Sequence, residues 1–408
     1  MKTLWIISQT INSPEDVGNT RHYSLSKYLA KKGWNIFLIS GSIEHLTNRQ
    51  RLSKLDRFKI IKKDNINFCW VRINKRNRNS LLSRSLGMFS FAFNILFSKA
   101  IYKLDRPNII IGSSPNPIAS FAAKIISFRF NVPFIFEIRD LWPETLIQMG
   151  AFKKNSFFSF LLSFLEKLLI YKSKKIIVLM KGGIKYYSQK GIKTNKIFHL
   201  PNGVDIEGLE FQPLKKKVKN DPFKVFYLGS MGKSNALENI IRTFDYLKKE
   251  GYGKEKINLF IVGDGPEKLR LKKYSNQLNL DNVFFYTPLI QDELINFSKE
   301  ADAFIFSMLP LNNLFKYGIS FNKIFTYLSL SRPIIYSSCA SYNPLDDSNV
   351  GIKSKSMHPK SLAEAIKKFM NTSYRDRSKM AREGFEFVKE KYSYKFLANN
   401  FDKILLDD

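Results

Sequence analysis

The sequence is poor in the residues that build disulfide frameworks and metal centres. It has two cysteines and four histidines in 408 residues, and Cys69 and Cys339 lie far apart. This usage indicates a reducing compartment without a disulfide framework. No group of His, Cys or acidic residues has the spacing of metal ligands, so we predict no metal site.

Long apolar runs are missing as well. The longest are residues 88–97 and 157–165, each close to lysine or arginine, and neither is long enough to span a bilayer. At the N-terminus only residues 4–7 are apolar, which is too short for a signal peptide and typical of a first core strand. We therefore expect a cytoplasmic protein.

Acidic residues are scarce, and they are scarcest in the first half. Residues 1–200 carry 34 Lys and Arg against 10 Asp and Glu, whereas residues 201–408 carry 32 against 25. A lysine-rich composition from AT-rich coding explains part of the net charge of +31 but not this asymmetry. The excess predicts a polyanionic partner for the N-terminal half: an acidic membrane surface, a nucleic acid or a phosphorylated substrate.

Two apolar helices favour the membrane among these partners. Basic residues accompany the Phe- and Leu-rich helices predicted at residues 81–104 and 157–171, a combination that suits an anionic bilayer. The alternative is that both are buried core helices. We find no motif typical of nucleic-acid binding, so we predict no nucleic acid partner.

Strands and helices alternate in two separate series, which predicts two α/β domains with parallel sheets. We assign residues 1–205 to the first domain, 206–222 to a lysine-rich linker and 223–385 to the second domain. The helices of residues 386–408 are expected to pack back on the first domain. Residues 44–80 are predicted to be irregular except for one strand near residues 68–73. Two similar halves also predict a cleft between them.

Residues 318–335 combine a loop, an apolar helix and a short strand. Apolar side chains recur there at helical spacing from Phe321 to Leu328, and Ser320 stands where a helix N-cap is expected. Asn322 and Lys323 fall in the first turn, where acidic residues are usual. A lysine beside free backbone N–H groups suits a bound phosphate, and the alternative is a surface lysine on a core helix.

Six motifs in this order resemble the family 4 retaining glycosyltransferases of GT-B fold. The closer similarity is to the branch that adds N-acetylated hexosamines or deoxyhexosamines in bacterial O-antigen and capsule assembly. The resemblance spans nearly the whole chain and rests on residues 21–40, 113–125, 136–144 (FEIRDLWPE), 200–205 (LPNGVD), 261–271 (IVGDGPEKLRL) and 320–335 (SFNKIFTYLSLSRPII).

The resemblance implies two Rossmann-like domains whose parallel sheets face a central cleft. It implies a nucleotide-sugar donor, UDP-linked, bound mainly by the C-terminal domain, and a polyprenyl-diphosphate-linked sugar acceptor bound mainly by the N-terminal domain. Retention of anomeric configuration is expected without an obligatory metal or other cofactor. Because the acceptor is a lipid, the enzyme is expected on the inner face of the cytoplasmic membrane as a peripheral protein.

The resemblance also implies site residues in the N-terminal domain. Gly18 and Asn19 would approach the donor diphosphate, and Arg21 would contact an acceptor phosphate. Each could instead be an ordinary loop or surface residue. His22 is an unattractive base without a partner in view.

Three further candidates follow the strand that ends in RDLWPE. Arg139 would bind sugar or acceptor phosphate, and Asp140 and Glu144 would accept hydrogen bonds from hydroxyls or serve as the acceptor base. The alternative for the two acids is a salt bridge with Arg139.

In the C-terminal domain the donor would meet several loops that follow strands. Gly229 begins the first loop. Many relatives have an arginine and a lysine in this loop, and here these positions are Ser230 and Asn235. Lys233 lies nearby and would take their place. The other candidates are Gly263, whose likelier role is structural, and Thr287 and Leu289, which lie where relatives cradle the base.

The last set is Ser320, Asn322 and Lys323 for the diphosphate and Thr326 for a ribose hydroxyl. Many relatives carry two glutamates here, one for the sugar and one for the ribose, and this chain has Gly318 and Thr326 instead. Thr326 is a neutral and weaker partner. Two alternatives therefore remain beside the transferase: a GT-B nucleotide-sugar epimerase or phosphorylase-like enzyme, and a degenerate GT-B protein that binds nucleotide without turnover.

Overall fold

The computed structural model describes residues 2–16, 18, 20–44, 47–74, 81–218, 220–289, 291–346 and 348–407. Its contacts divide the chain into two compact units. Unit 1 comprises residues 1–205 and 394–408, and unit 2 comprises residues 206–393. Residues 206–222, assigned above to a linker, fall within unit 2. There Lys217 pairs with Asp302 at 2.8 Å, and Lys215 pairs with Glu300.

Unit 1 is built on an eight-stranded sheet with the order β3-β4-β2-β1-β5-β6-β7-β8, parallel except for the β3–β4 pair. The strands are β1 Lys2–Ile7, β2 Trp34–Gly41, β3 Phe58–Lys63, β4 Ile66–Val71, β5 Ile109–Ser113, β6 Phe134–Ile138, β7 Lys175–Val178 and β8 Ile197–His199. The helices are α1 Arg21–Ala30, α2 Leu81–Phe97, α3 Pro117–Phe130, α4 Glu144–Gln148, α5 Phe157–Tyr171, α6 Gly183–Ser188 and α14 Tyr394–Leu406.

The C-terminal helix α14 belongs to the core of unit 1. Its buried Leu397 and Phe401 join the cluster that contains Leu25 and Leu29 of α1. At the edge of this cluster the indole Nε1 of Trp34 donates to Asp402 at 2.8 Å. Burial of these apolar side chains is the main force that holds the helix there.

The β3–β4 hairpin contradicts the prediction that most of residues 44–80 are irregular. Asp64 and Asn65 connect the strands with φ of +49° and +60°. Two residues with positive φ give a turn whose twist matches that of antiparallel strands, and Asp and Asn tolerate it. The pattern was missed because β3, FKIIKK, is an exposed edge strand without a buried face.

The helix predicted over residues 81–104 is also shorter in the structure. It ends at Phe97, and a single 3-10 turn at Ile101–Lys103 leads to β5. No described helix of the chain is long and apolar enough to cross a membrane.

Unit 2 has a six-stranded parallel sheet with the order β11-β10-β9-β12-β13-β14. The strands are β9 Phe223–Leu228, β10 Ile257–Val262, β11 Val283–Tyr286, β12 Ala303–Phe306, β13 Ile334–Tyr336 and β14 Gly351–Lys353. The helices are α7 Leu237–Lys249, α8 Lys268–Gln277, α9 Gln291–Ser298, α10 Asn312–Phe315, α11 Asn322–Ser329, α12 Pro359–Met370 and α13 Tyr374–Lys391. The strand order reverses between β9 and β12, where doubly wound sheets bind ligands at the carboxyl ends of their strands.

Helix α11 buries Ile324, Phe325 and Leu328, which confirms the apolar face predicted from the sequence. The predicted N-cap is wrong by one residue, because the helix begins at Asn322 and Phe321 occupies the capping position without a side-chain hydrogen bond. Phe321 therefore supplies no side-chain cap to the first turn of α11.

Gly229 and Gly263 hold the first two loops of unit 2 in direct backbone contact. Gly263 has φ +147°, and a Cβ built on it would lie 1.9 Å from the carbonyl oxygen of Gly229. The amide of Gly229 donates to Val262 O at 3.0 Å, and that of Met231 donates to Asp264 O at 2.7 Å. Glycine at position 263 is thus a packing requirement.

We predict that Gly263→Ala lowers the stability of unit 2 by roughly 2–4 kcal/mol, because the methyl group forces β9 and β10 apart and the φ value disfavours alanine. Hydrogen exchange of the β9 and β10 amides in the full chain measures this loss. Gly253→Ala is the matched control, since a Cβ there meets no atom within 4 Å. Equal protection in the two variants would contradict the packing argument.

Candidate functional site

A buried charge network lies where β5 and β6 of unit 1 end. Glu137 of β6 accepts from Arg21 Nε at 3.0 Å and from Ser113 Oγ at 2.5 Å, and it lies 2.7 Å from His22 Nε2. The Arg21 guanidinium also donates to the carbonyl of Leu200 at 2.9 Å and to that of Pro201.

Burial and charge act in opposite directions on this network. Burial disfavours the charged form of Glu137, but Arg21, with His22 and Ser113, overcomes this and holds the pKa of Glu137 well below its usual value. Burial lowers the pKa of His22 despite the attraction of Glu137. Near neutral pH the network is therefore an ionised Glu137 paired with Arg21 beside a neutral His22.

This geometry contradicts the predicted contact between Arg21 and an acceptor phosphate. Arg21 is 1% exposed, and all three of its guanidinium nitrogens already donate within the protein. The arginine instead joins α1, β6 and residues 200–201, so its role is structural. Sequence reasoning placed it at a surface because its partner Glu137 is 116 residues away.

Arg139, Asp140 and Glu144 follow β6 at the carboxyl edge of the sheet. The Arg139 amide donates to Ser114 Oγ at 2.8 Å, while its guanidinium makes no hydrogen bond or ion pair with any described residue. Neither acid pairs with Arg139, which argues against the salt-bridge alternative. Glu144 is the first residue of α4 and accepts from Gln148 Nε2 at 2.8 Å.

Asp140 differs from the buried Glu137 in its exposure and in the direction of its pKa shift. Asp140 is exposed as a residue, yet neighbouring protein displaces enough water from its carboxyl group to raise its pKa, and Arg139 opposes this shift. An accessible carboxylate beside a cation without a partner can accept hydrogen bonds from hydroxyl groups.

The loop after β1 is only partly described. Gly18 is exposed with φ +114°, a conformation that favours glycine. Asn19 lies outside the described residues. Their predicted role near a donor diphosphate remains a prediction.

Lys323 occupies the first turn of α11 in unit 2. Its ammonium group donates to the Tyr227 hydroxyl at 3.2 Å and to the side-chain carbonyl of Asn235. It also lies 4.9 Å from the centroid of the Tyr227 ring. Tyr227 and Asn235 are in turn fixed by the carbonyl of Ser230, to which they donate at 2.8 Å each. The loop after β9 therefore holds the lysine in place.

No carboxylate of the described residues lies within 4.0 Å of this ammonium group. Lys323 is half-buried, and the loss of solvent around the ammonium group lowers its pKa to about 7. An ammonium held by neutral groups at the N-terminal end of a helix is a site of positive potential. Such a site binds an anion such as phosphate.

The remaining donor candidates lie in other parts of the loops that follow the strands of unit 2. Lys233 is exposed and lines an open cavity together with Arg242 of α7 and Pro310 after β12. Thr287 is exposed and Leu289 half-buried after β11. Each lies after a strand at the carboxyl edge, where the topology favours a ligand, and their donor contacts remain predictions.

Gly318 and Thr326, which stand where many relatives have glutamates, differ in the space around them. Gly318 has φ +98°, and a Cβ there would lie 2.8 Å from the carbonyl oxygen of Tyr342, so the backbone excludes a larger residue. Thr326 is half-buried and donates to the carbonyl of Asn322 at 3.2 Å, which leaves its hydroxyl oxygen able to accept. Ser320 is buried, and the side-chain oxygen of Asn322 is enclosed without a hydrogen-bond partner.

Tyr227 is the residue of this cluster that sequence analysis missed. It is fully buried within β9, and burial raises the pKa of its hydroxyl. A tyrosine inside an apolar strand gives no signal of its own. Only its distance to Lys323, 96 residues later, shows that it contributes to the site.

Comparison with known proteins agrees with this architecture. Residues 18–207 match the model for Glycosyltransferase Family 4, and residues 210–311 match that for Glycosyl transferases group 1. These two matches and the solved structures below agree with the expected α/β GT-B fold with two Rossmann-like domains, which is confirmed.

Individual relatives are distant. The putative colanic acid biosynthesis glycosyl transferase WcaI of Escherichia coli is 23% identical over 240 residues, which cover 55% of this chain and 56% of WcaI, so the match spans less than two thirds of that relative. Sucrose-phosphate synthase from Thermosynechococcus elongatus superposes with a TM-score of 0.74 at 15% identity, covering 100% of this chain and 98% of the synthase. HepE from Anabaena, solved with UDP-glucose, superposes with a TM-score of 0.66 at 11% identity over 100% of both chains.

The lowered pKa of Lys323 predicts a pH-dependent effect on stability. The unfolded chain keeps this proton up to its ordinary pKa near 10.5, whereas the folded chain releases it near 7. Burial of the charge therefore destabilises the fold fully below pH 7, and the penalty disappears as the pH rises from about 7 to about 10.5.

We predict that Lys323→Met stabilises the protein at pH 6 and that this gain shrinks by about 1–2 kcal/mol at pH 10, after allowance for partial solvent screening. Urea unfolding at several pH values measures the difference. Lys273→Met, at an exposed position of α8, is the control and should show no such trend. If the change in the free energy of unfolding caused by Lys323→Met is the same at every pH, the lysine does not bury an unpaired charge.

Proposed function

We propose that this protein is a retaining glycosyltransferase that moves an N-acetylated hexosamine or deoxyhexosamine from a UDP-linked donor to a polyprenyl-diphosphate-linked sugar. The reaction would serve the synthesis of a bacterial surface polysaccharide. The observation that carries the proposal is Lys323, a cation without a carboxylate partner among the described residues, in the first turn of α11.

The chemistry of transfer explains why such a cation is needed. As the bond between sugar and diphosphate breaks, the sugar gains oxocarbenium character and negative charge develops on the leaving diphosphate. Lys323 and the first backbone N–H groups of α11 stabilise this charge, and their position is fixed beforehand by Tyr227 and Asn235. The interaction strengthens as the charge develops, so it accelerates the reaction and does not merely bind the donor.

The acceptor is assigned to unit 1. Arg139 offers a guanidinium without a partner among the described residues, which suits the diphosphate of a lipid-linked acceptor. Asp140 and Glu144 lie within five residues of it and accept hydrogen bonds from the acceptor hydroxyls. The resemblance of the RDLWPE motif supports this assignment.

The relatives support the donor and the biological role. A structural neighbour was solved with UDP-glucose, and a curated relative is named for colanic acid biosynthesis. Retention, metal independence and a peripheral position on the cytoplasmic membrane follow from the resemblance of the six motifs and belong to the same proposal.

A second candidate is a protein of this fold that binds UDP without turnover. Gly318 favours it, because the backbone at this position excludes the glutamate that contacts the sugar in many relatives. The two candidates agree on nucleotide binding and differ only in transfer. An epimerase is not favoured by any feature of the structure.

A donor panel distinguishes the candidates. Wild type is incubated with UDP-N-acetylhexosamines, their deoxy forms and a lipid-linked acceptor, and both UDP release and label in the lipid fraction are measured. We expect transfer from one donor, and we expect Lys323→Ala to lower kcat/KM by about 10²–10³-fold, the usual effect of removing one group that stabilises developing charge. Lys273→Ala is the control and should transfer normally.

The opposite outcomes are equally clear. If wild type binds UDP but transfers no sugar from any donor, the non-catalytic candidate is correct. If Lys323→Ala transfers as well as wild type, the diphosphate is held elsewhere and the assigned role of α11 is wrong.

A further inference from the structure

Two helices of unit 1 expose phenylalanine on their outer faces. Helices α2, α3 and α5 pack side by side, with α3 in the middle. We define the aromatic surface as two rows of exposed phenylalanines, one on α2 and one on α5: Phe89, Phe93, Phe97, Phe157, Phe160 and Phe164. Their spacing places each group along one face of its helix. They are exposed by 57% to 72%, so the folded chain leaves these rings unburied.

Exposed rings of this number need a physical explanation. Soluble monomers rarely leave contiguous apolar patches of several large side chains in water, because each ring exposes apolar area that water disfavours. The inner faces of the same helices are well packed, for example through buried Phe91 and Ile95 of α2 and Leu169 of α5. The helices are thus anchored by their inner faces, and the outer rings are available to a partner.

The charges around the aromatic surface select the partner. Helices α2, α3 and α5 contain one acidic residue, Glu166, which is 6% exposed and accepts from Tyr187 and Lys190. Exposed lysines flank α5 at both ends: Lys153, Lys154, Lys167 and Lys172. Aromatic rings within a basic rim are complementary to an anionic lipid bilayer, where rings enter the interface and lysines meet the headgroups.

The lengths of the helices determine the mode of binding. Helix α2 has 17 residues and α5 has 15, and both keep one face in the protein core. A helix that is half-buried in its own domain cannot cross the bilayer. It can lie in the interface with its outer face about 5–10 Å deep.

The aromatic surface is adjacent to the acceptor residues. On the inner side of α5, Leu162 and Glu166 line a small cavity together with Asp140 and Trp142. One helix therefore touches the proposed acceptor segment with one face and exposes Phe160 and Phe164 with the other. Seating α5 in a bilayer would bring Asp140 and Arg139 close to the level of lipid headgroups.

We propose that the aromatic surface inserts into an anionic bilayer and that α5 thereby presents residues 139–144 to the headgroup of the acceptor lipid. This inference rests on the proposed function, because that acceptor is a membrane lipid. It adds the binding face, the insertion of aromatic side chains and the helix that connects the face to the acceptor residues. Binding then has two parts, an electrostatic one that salt removes and an apolar one that it does not.

Vesicle sedimentation tests the proposal with the full chain. Wild type should bind vesicles that contain phosphatidylglycerol more tightly than vesicles of phosphatidylcholine alone, and part of the binding should survive about 1 M NaCl. The variant Phe160→Ser with Phe164→Ser should bind at least about tenfold more weakly and lose the salt-resistant part. Lys153→Ala with Lys154→Ala should lose mainly the part that salt removes.

The control replaces two exposed leucines away from the aromatic surface, Leu55→Ser with Leu269→Ser, which are 93% and 83% exposed. This variant should bind vesicles like wild type. UDP affinity should be unchanged in every variant, which separates a failed membrane surface of unit 1 from a failed donor site of unit 2.

Three results would overturn the inference. Wild type could bind neither kind of vesicle, or the phenylalanine variant could bind as well as wild type. The phenylalanine variant could also turn a dimer into a monomer in analytical ultracentrifugation while vesicle binding stays unchanged. That last result would assign the aromatic surface to contact between two copies of the chain.

Discussion

The donor half of the proposal depends on one positive charge, that of Lys323, which pairs with no carboxylate in the described part of the chain. Lys323 is half-buried at the start of α11, and its neighbours Tyr227 and Asn235 are neutral. Burial of a cation costs free energy, which appears as a pKa lowered to about 7. The fold holds the ammonium group by hydrogen bonds to Tyr227 of β9 and to Asn235 of the loop after β9. A site kept in this state gains most when an anion arrives, and a diphosphate supplies that anion.

In unit 1, by contrast with Lys323, a buried charge is paired within the protein. Glu137 is enclosed with Arg21, His22 and Ser113, so its charge is satisfied within the protein and its pKa is low. This closed network joins α1 to the end of β6 and to residues 200–201. Arg139, only two residues from Glu137, has no ion-pair partner among the described residues. The closed network is a structural support, and Arg139 beside it is the cation to which the proposal assigns the acceptor.

Local pattern was enough to predict the alternating strands and helices, the apolar face of α11 and the position of Lys323 in its first turn. These features depend on residues close in sequence. The β3–β4 hairpin was missed because an exposed edge strand has no buried alternation to reveal it. The N-cap was misplaced by one residue, since Ser320 is buried before the helix begins.

Contacts between residues that are far apart in the sequence could not be predicted from it. Arg21 was expected to contact an acceptor phosphate, but Glu137 and two carbonyl groups near residue 200 enclose it. Tyr227 gave no signal, because its role depends on a lysine 96 residues later. The missing glutamate at Gly318 was visible in the sequence, whereas its cause, the close approach of the Tyr342 backbone, was visible only in the structure. Contacts of this kind follow from topology and not from local pattern.

The most direct test of the role of Lys323 is the number of protons taken up when UDP binds. At pH 8 a lysine with a pKa of about 7 is largely neutral, and a bound diphosphate restores its charge. Calorimetry at pH 8 in buffers of different ionisation enthalpy should therefore show uptake of close to one proton by wild type. Lys323→Arg, which stays charged, should bind UDP with no uptake. Equal uptake by the two proteins, or none by wild type, would contradict the account.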